Sequence, residues 1–139
     1  MEPYIIKGAV SKDERGQIKH NNSFDLSPVR RMYIIQNVDE LFLRGWKAHK
    51  IEKRWFVAIN GAFTIRVAKI DDWEKPSQHI EQAVFSLDAE LPDVLVAPEG
   101  YATLIKSEKE NSRLLVFSDY LLGATNDELN LPNNYFINK

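Results

Sequence analysis

Apolar residues in this chain come in short runs, rich in Val, Ile, Phe and Tyr, broken at close intervals by turn residues. Such runs are strand-sized, and regular punctuation between them favours a sandwich or barrel over alternating βαβ units. Strands are expected over residues 4–10, 29–37, 43–50, 54–60, 62–69, 79–87, 94–97, 103–106 and 114–118. Turns fall at Asp13-Glu14-Arg15-Gly16, Asn60-Gly61, Asp71-Asp72, Glu99-Gly100 and 108–111. Asn60-Gly61 is the strongest hairpin signal, because both residues tolerate the positive φ of a type I′ turn. Only 125–131 reads as helical, for one or two turns, and the Asn-rich stretch 132–139 reads as a polar tail that Tyr135 and Phe136 can tie down. The expected fold is all-β: a single antiparallel barrel or jelly roll over residues 1–139, without repeat, linker or second domain.

Composition narrows the function classes. At 139 residues the chain is one domain by the usual prior of roughly 100–200 residues. It contains no cysteine, which excludes disulfide bonds, thiolate metal sites and a Cys nucleophile. No apolar run reaches the roughly 18 residues of a membrane-spanning helix, and Met1-Glu2-Pro3-Tyr4 does not open like a signal peptide. With 18 Lys+Arg against 20 Asp+Glu and no basic block, neither nucleic acid nor membrane is an expected partner. A soluble, cytoplasmic protein is the expectation.

The chemistry concentrates in Arg44-Gly45-Trp46-Lys47-Ala48-His49-Lys50. On a strand, positions two apart share a face, so Lys47 and His49 point one way while Trp46, Ala48 and Lys50 point the other. Arg54 follows a tight turn at 51–53, Gly61 closes the unit, and Pro98-Glu99-Gly100-Tyr101-Ala102-Thr103 forms a second turn-to-strand element.

Gly45…Lys47-x-His49-x4-Arg54-x6-Gly61, with Pro98-x-Gly100-x2-Thr103, resembles the two signature motifs of the cupin superfamily. Adding Asp13-x-Arg15-Gly16, Arg31-Met32-Tyr33-Ile34-Ile35 and Ser118-Asp119-Tyr120, residues 4–122 are similar to the sugar 3,4-ketoisomerase family. Its members act on dTDP-4-keto-6-deoxyglucose and are related to dTDP-4-dehydrorhamnose 3,5-epimerase. The resemblance implies a metal-independent jelly-roll barrel, a homodimer, an active site inside the barrel, no cofactor, and a nucleotide sugar as ligand. The four positions that hold the ion in metal-binding cupins are here Lys47, His49, Arg54 and Thr103. One potential ligand remains, and cationic Lys and Arg repel a divalent ion, so no metal is expected there.

The family motif carries His at both positions 47 and 49, and the first is Lys47 in this chain. Moving a ketone from C4 to C3 requires a base near neutral pKa and donors for a developing enediolate. His49 suits the base role untuned. Lys47 is either a base tuned by burial beside Arg54 or a solvated strand-edge lysine. The resemblance makes His49, Lys47 and Tyr33 the catalytic candidates. Arg44, Arg54, Arg31, Arg15, Tyr101 and Asp119 are the candidate substrate contacts, although each arginine also suits a surface ion pair, Tyr101 the core and Asp119 a sheet end. Trp46 and Trp55 read as core or interface aromatics, and His20 and His79 as surface residues. Two functions follow. One is a cofactor-independent isomerase or epimerase of a dTDP-linked 4-keto-6-deoxy sugar; the other is the same barrel binding a nucleotide sugar or another anionic carbohydrate without turnover.

Overall fold

The computed structural model describes residues 1–137 as strands β1 Tyr4–Ile6, β2 Ala9–Asp13, β3 Gly16–His20, β4 Arg31–Ile35, β5 Leu43–His49 and β6 Arg54–Asn60, followed by β7 Ala62–Lys69, β8 Gln82–Asp88, β9 Val94–Ala97, β10 Tyr101–Ser107, β11 Arg113–Ser118 and β12 Glu128–Asn130. No helix occurs among the described residues, and none is therefore long and apolar enough to cross a membrane. Two five-stranded antiparallel sheets, ordered β1-β9-β6-β11-β4 and β12-β5-β10-β7-β8, face each other as an all-β jelly roll. The hairpin β2-β3 stands outside both.

Period-two alternation builds the interior. Phe56, Phe63, Ile65, Leu95, Ile105, Leu114 and Val116 fill the space between the sheets. The intervening positions face outward beneath covering segments. Trp55, Val57 and Val96 lie under Phe24 and Val29. Trp46, Ala48 and Ala102 lie under Trp73 and the tail residues Tyr135 and Phe136. At one end the apolar filling stops: Phe56 opposite Val116 gives way to Arg54 opposite Ser118. That change from apolar to polar inward positions makes room for a site.

Two glycines are required where they stand. Gly61, at φ +70°, turns β6 into β7, and a Cβ there would lie 2.1 Å from Ser112 Oγ. Gly45, at φ +124°, sits where β5 and β10 slip register beside Thr103 and Leu104; its Cβ would lie 2.3 Å from the Thr103 carbonyl oxygen.

The strand expectations need four corrections. The run 4–10 is broken, because the Gly8 amide bonds Asp93 Oδ1 at 2.8 Å and redirects the chain into β2. Asp13–Gly16 does turn, but between strands β2 and β3, whose almost fully exposed residues leave no hydrophobic alternation to detect. The runs 29–37 and 79–87 shorten to β4 and β8. Residues 125–131 are not helical: β12 pairs with β5, and Leu131 and Trp46 exchange both backbone hydrogen bonds. An unfilled strand edge wins over a weak local helical preference, since nucleating a short helix is costly.

Candidate active site

The turn joining β5 to β6 gathers the polar end of the barrel. Asp127 Oδ2 accepts the amides of Ile51 and Glu52, both at 2.9 Å, and Asp119 Oδ1 accepts the Lys53 amide at 2.9 Å. These bonds place Glu52 inside the protein, 4% exposed, where it meets Arg31 Nη2 at 2.9 Å and the Ser118 hydroxyl. His49, at the end of β5 and likewise 4% exposed, directs Nδ1 at both acids: 3.1 Å from Glu52 Oε2 and 3.2 Å from Asp127 Oδ1. Ionised carboxylates only accept, so Nδ1 carries the proton and Nε2 is left free as the basic nitrogen. Among the described residues Nε2 has no hydrogen-bond partner.

Burial, reinforced by the nearby Arg54 charge, pulls the His49 pKa below its ordinary value of 6.5, while Asp127 and Glu52 oppose that fall. Asp127 is pushed up by burial, yet the Glu52 and Ile51 amides, His49 and Thr125 together hold it far below the usual carboxylate range. Both shifts mean that the folded state binds fewer protons than the unfolded chain, so stability is lost as pH falls. Stability against urea should therefore be level above about pH 6.5, decline below it, and fall again below the ordinary Asp value near 3.8. Asp127→Asn should make the second decline shallower, leaving the part due to Asp13, Asp25 and Glu108, whose carboxyls are also held below their ordinary values; a wild-type profile flat down to pH 3 would contradict this assignment.

Beside this cluster lies a cavity of about 580 Å³ lined by Tyr33, Arg44, Lys47, Arg54, Thr103 and Asn130, among others. Its residues include three cations and no carboxylate. Arg54 is 3% exposed; its guanidinium donates to Thr103 Oγ1 at 3.2 Å and to the Lys47 carbonyl at 3.4 Å, while its Nε has no partner. No salt bridge to Arg54 occurs among the described residues. A buried guanidinium with an unpartnered Nε has donor capacity left for an anion. Lys47 Nζ, half-exposed, pairs with Glu128 at 3.2 Å, and Arg44 Nε donates to Asn37 Oδ1 at 2.9 Å.

The sequence-predicted residues thus divide. Tyr33, Arg44, Lys47 and Arg54 share the cavity, with His49 behind it in the acidic cluster and not among its lining residues. Arg31 is drawn into the Glu52 ion pair and bonds the Tyr120 carbonyl. Arg15 is at the exposed tip of β2-β3, a hairpin hydrogen-bonded into neither large sheet; it pairs with Asp13 at 2.6 Å and is not among the residues lining the cavity. Tyr101 belongs to the apolar interior, and Asp119 is spent on the 51–53 turn, which it closes with Lys53.

Sequence reasoning missed Glu52 and Asp127. The only signals available were an acid three residues after His49 and an Asp in a stretch read as helix. The case against a metal considered only the four cupin positions, whereas His49, Glu52 and Asp127 offer ligand atoms within 4.8 Å of one another. Their chemistry does not suit an ion: the remaining carboxylate oxygens already accept from Arg31, Ser118, Thr125 and two amides, and Arg31 and Arg54 supply the opposing charge.

The fold is a cupin-like antiparallel barrel. The chain is similar to QdtA, a sugar 3,4-ketoisomerase from Thermoanaerobacterium thermosaccharolyticum solved in complex with TDP (23% identity, TM-score 0.72, covering 96% of this chain and 91% of that one). It is also similar to a 3,4-ketoisomerase from Helicobacter canadensis (19%, 0.71, 93% and 90%). A third likeness is to dTDP-4-dehydrorhamnose 3,5-epimerase from Bacillus anthracis, solved with TDP and PPi (13%, 0.76, 95% and 79%). No curated protein matches the sequence. The family pattern described as "FdtA: WxcM-like, C-terminal" matches residues 2–126, and the chain belongs to that family.

Proposed function

We propose that this protein is a cofactor-independent isomerase or epimerase of a dTDP-linked 4-keto-6-deoxy sugar, working by proton transfer through an enediolate. The observation that carries the reading is His49: neutral, with Nδ1 anchored on two buried carboxylates, next to a cavity whose charged lining is entirely cationic. His49 removes the proton α to the ketone, Arg54 faces the developing oxyanion, and Tyr33 returns a proton on the other carbon. Lys47 and Arg44 hold the diphosphate. Lys47, ion-paired at the cavity mouth, is suited to gripping phosphate and not to abstracting a proton from carbon. A TDP ligand in the related ketoisomerase supports the nucleotide half of the assignment. A homodimer fits the same reading, because β4 is a free sheet edge with Met32 and Ile34 exposed.

Calorimetric titration tests the binding that both readings share, and a turnover assay separates the enzyme from a barrel that binds without turnover. The protein should bind dTDP-glucose in preference to glucose, and Arg44→Ala should weaken binding by about one to two orders of magnitude, the value of one or two charge-assisted contacts. Lys47→His, tested with dTDP-4-keto-6-deoxyglucose, should preserve or raise turnover. A loss of more than tenfold in kcat with affinity for the dTDP-sugar unchanged would make Lys47 the base, and failure to bind any dTDP-sugar would end both readings.

A further inference from the structure

The family pattern stops at residue 126, yet the chain beyond it is built into the site. The Lys50 amide bonds the Asp127 carbonyl at 3.2 Å, and Asp127 holds His49. Glu128 pairs with Lys47, and Asn130 lines the cavity. All three belong to or adjoin β12, which covers the edge of β5 in the register Glu128↔His49 and Asn130↔Lys47.

Three residues of edge strand cannot hold themselves in place, since even a complete two-stranded hairpin is marginal in water. What holds them is apolar and lies on the other face of β5. Leu129, Leu131, Tyr135 and Phe136 pack with Trp46. Phe136, 5% exposed, meets the Trp46 ring edge-on at 4.8 Å, and Trp46 Nε1 donates to the Asn133 carbonyl at 3.2 Å. The Tyr135 hydroxyl donates to the Pro76 carbonyl, and the Ile137 amide to that of Gln78 at 2.8 Å. Trp46 and Lys47 are adjacent in β5, so the anchor and the cavity share one strand.

We propose that the segment Asp127 to Phe136 is a strap, anchored by Phe136 on Trp46, that positions His49 and Lys47 for the reaction. The proposal rests on the reading of His49 as the base, but its own claim is a coupling between the anchor and His49. The charged groups that face His49 are Glu52 from the turn, Asp127 from the strap and Arg54 from β6. Glu128 and Tyr101 flank it in register on the two neighbouring strands. Releasing the strap removes Asp127 and part of the burial together. Burial is the largest influence on His49, so its loss lifts the midpoint toward 6.5, against a smaller downward pull from the loss of Asp127.

Phe136→Ala is the test, in the full-length chain, with Phe136→Leu as the conservative variant. Phe136→Ala should accelerate exchange of the 128–130 amides at least tenfold relative to those of β6. It should also shift the NMR titration midpoint of His49 upward and lower kcat about tenfold on dTDP-4-keto-6-deoxyglucose. Phe136→Leu should restore most of all three. Faster exchange of the strap with an unmoved His49 titration would overturn the proposal, as would unchanged exchange. If Phe136→Ala does not fold, Tyr135→Phe, which removes the bond to the Pro76 carbonyl, decides: strap exchange and His49 midpoint must shift together in it. Absence of turnover by the wild type would sink the function while the His49 titration still decided the strap.

Discussion

Replacing His49 by Ala should reduce isomerase turnover of dTDP-4-keto-6-deoxyglucose by at least about 10³-fold with little change in affinity for dTDP. A positioned general base contributes roughly 10²–10⁴-fold, and no other histidine stands near the cavity: His20 bonds Ser11 and Asn22 outside both sheets, and His79 lies in a surface loop. Asp127→Asn should lower turnover less than His49→Ala. It keeps the shape of the cluster but offers Nδ1 an amide that can also donate, while Glu52 still accepts from Nδ1 and favours the productive tautomer. The acid limb of its pH–rate profile should also move further down, because a negative charge that favours the imidazolium has gone. Steady-state kinetics across pH 5 to 9 checks both. A loss under tenfold in His49→Ala would assign the base elsewhere, with Tyr33 the next candidate.

Glu52→Ala should be the most destabilising single change in the site. Glu52 is the common acceptor of Arg31, Ser118 and His49. Deleting it leaves a half-buried guanidinium, a fully buried hydroxyl and the imidazole short of an acceptor. Removing one partner of a buried ion pair typically costs about 3–5 kcal/mol, most of it from the charge left unpaired. Arg31 keeps its bond to the Tyr120 carbonyl and some solvent, which places the expected value near the lower end. Urea unfolding measures it directly. Glu52→Gln, which retains an acceptor oxygen, should cost distinctly less, and a loss below about 1 kcal/mol in Glu52→Ala would mean the network does little for stability.

The barrel was legible because its signals are local. Asn60-Gly61 marks a turn that needs positive φ, and Val, Ile and Phe alternate along β6, β7 and β11 with the period that fills the interior. Period two also placed Trp46 and Ala48 together on one face of β5, as the apolar cluster they share shows. What was illegible depends on distant partners. His49 and Asp127 are 78 residues apart, Arg31 and Glu52 21. Neither pairing leaves a periodic trace. Glu52 lies in a charged turn with no pattern around it that marks burial, and the amides captured by Asp127 explain why it faces inward. Arg31 and Arg15 carried motif resemblance but no information about what they would meet. One met a buried acid and the other its own hairpin. β12 failed for a related reason: three residues take their conformation from the edge of β5 and from Trp46 on its far side.

The central claim is that His49 exchanges a proton on a carbon of a nucleotide-linked keto sugar. It is tested most directly by incubating the protein with dTDP-4-keto-6-deoxyglucose in D2O and following the sugar by NMR. A new 3-keto product carrying deuterium at C4 is expected, with exchange at C3 of the remaining 4-keto sugar, both absent with His49→Ala. An unchanged spectrum with the folded wild-type protein, under conditions where calorimetry shows the dTDP-sugar bound, would contradict it.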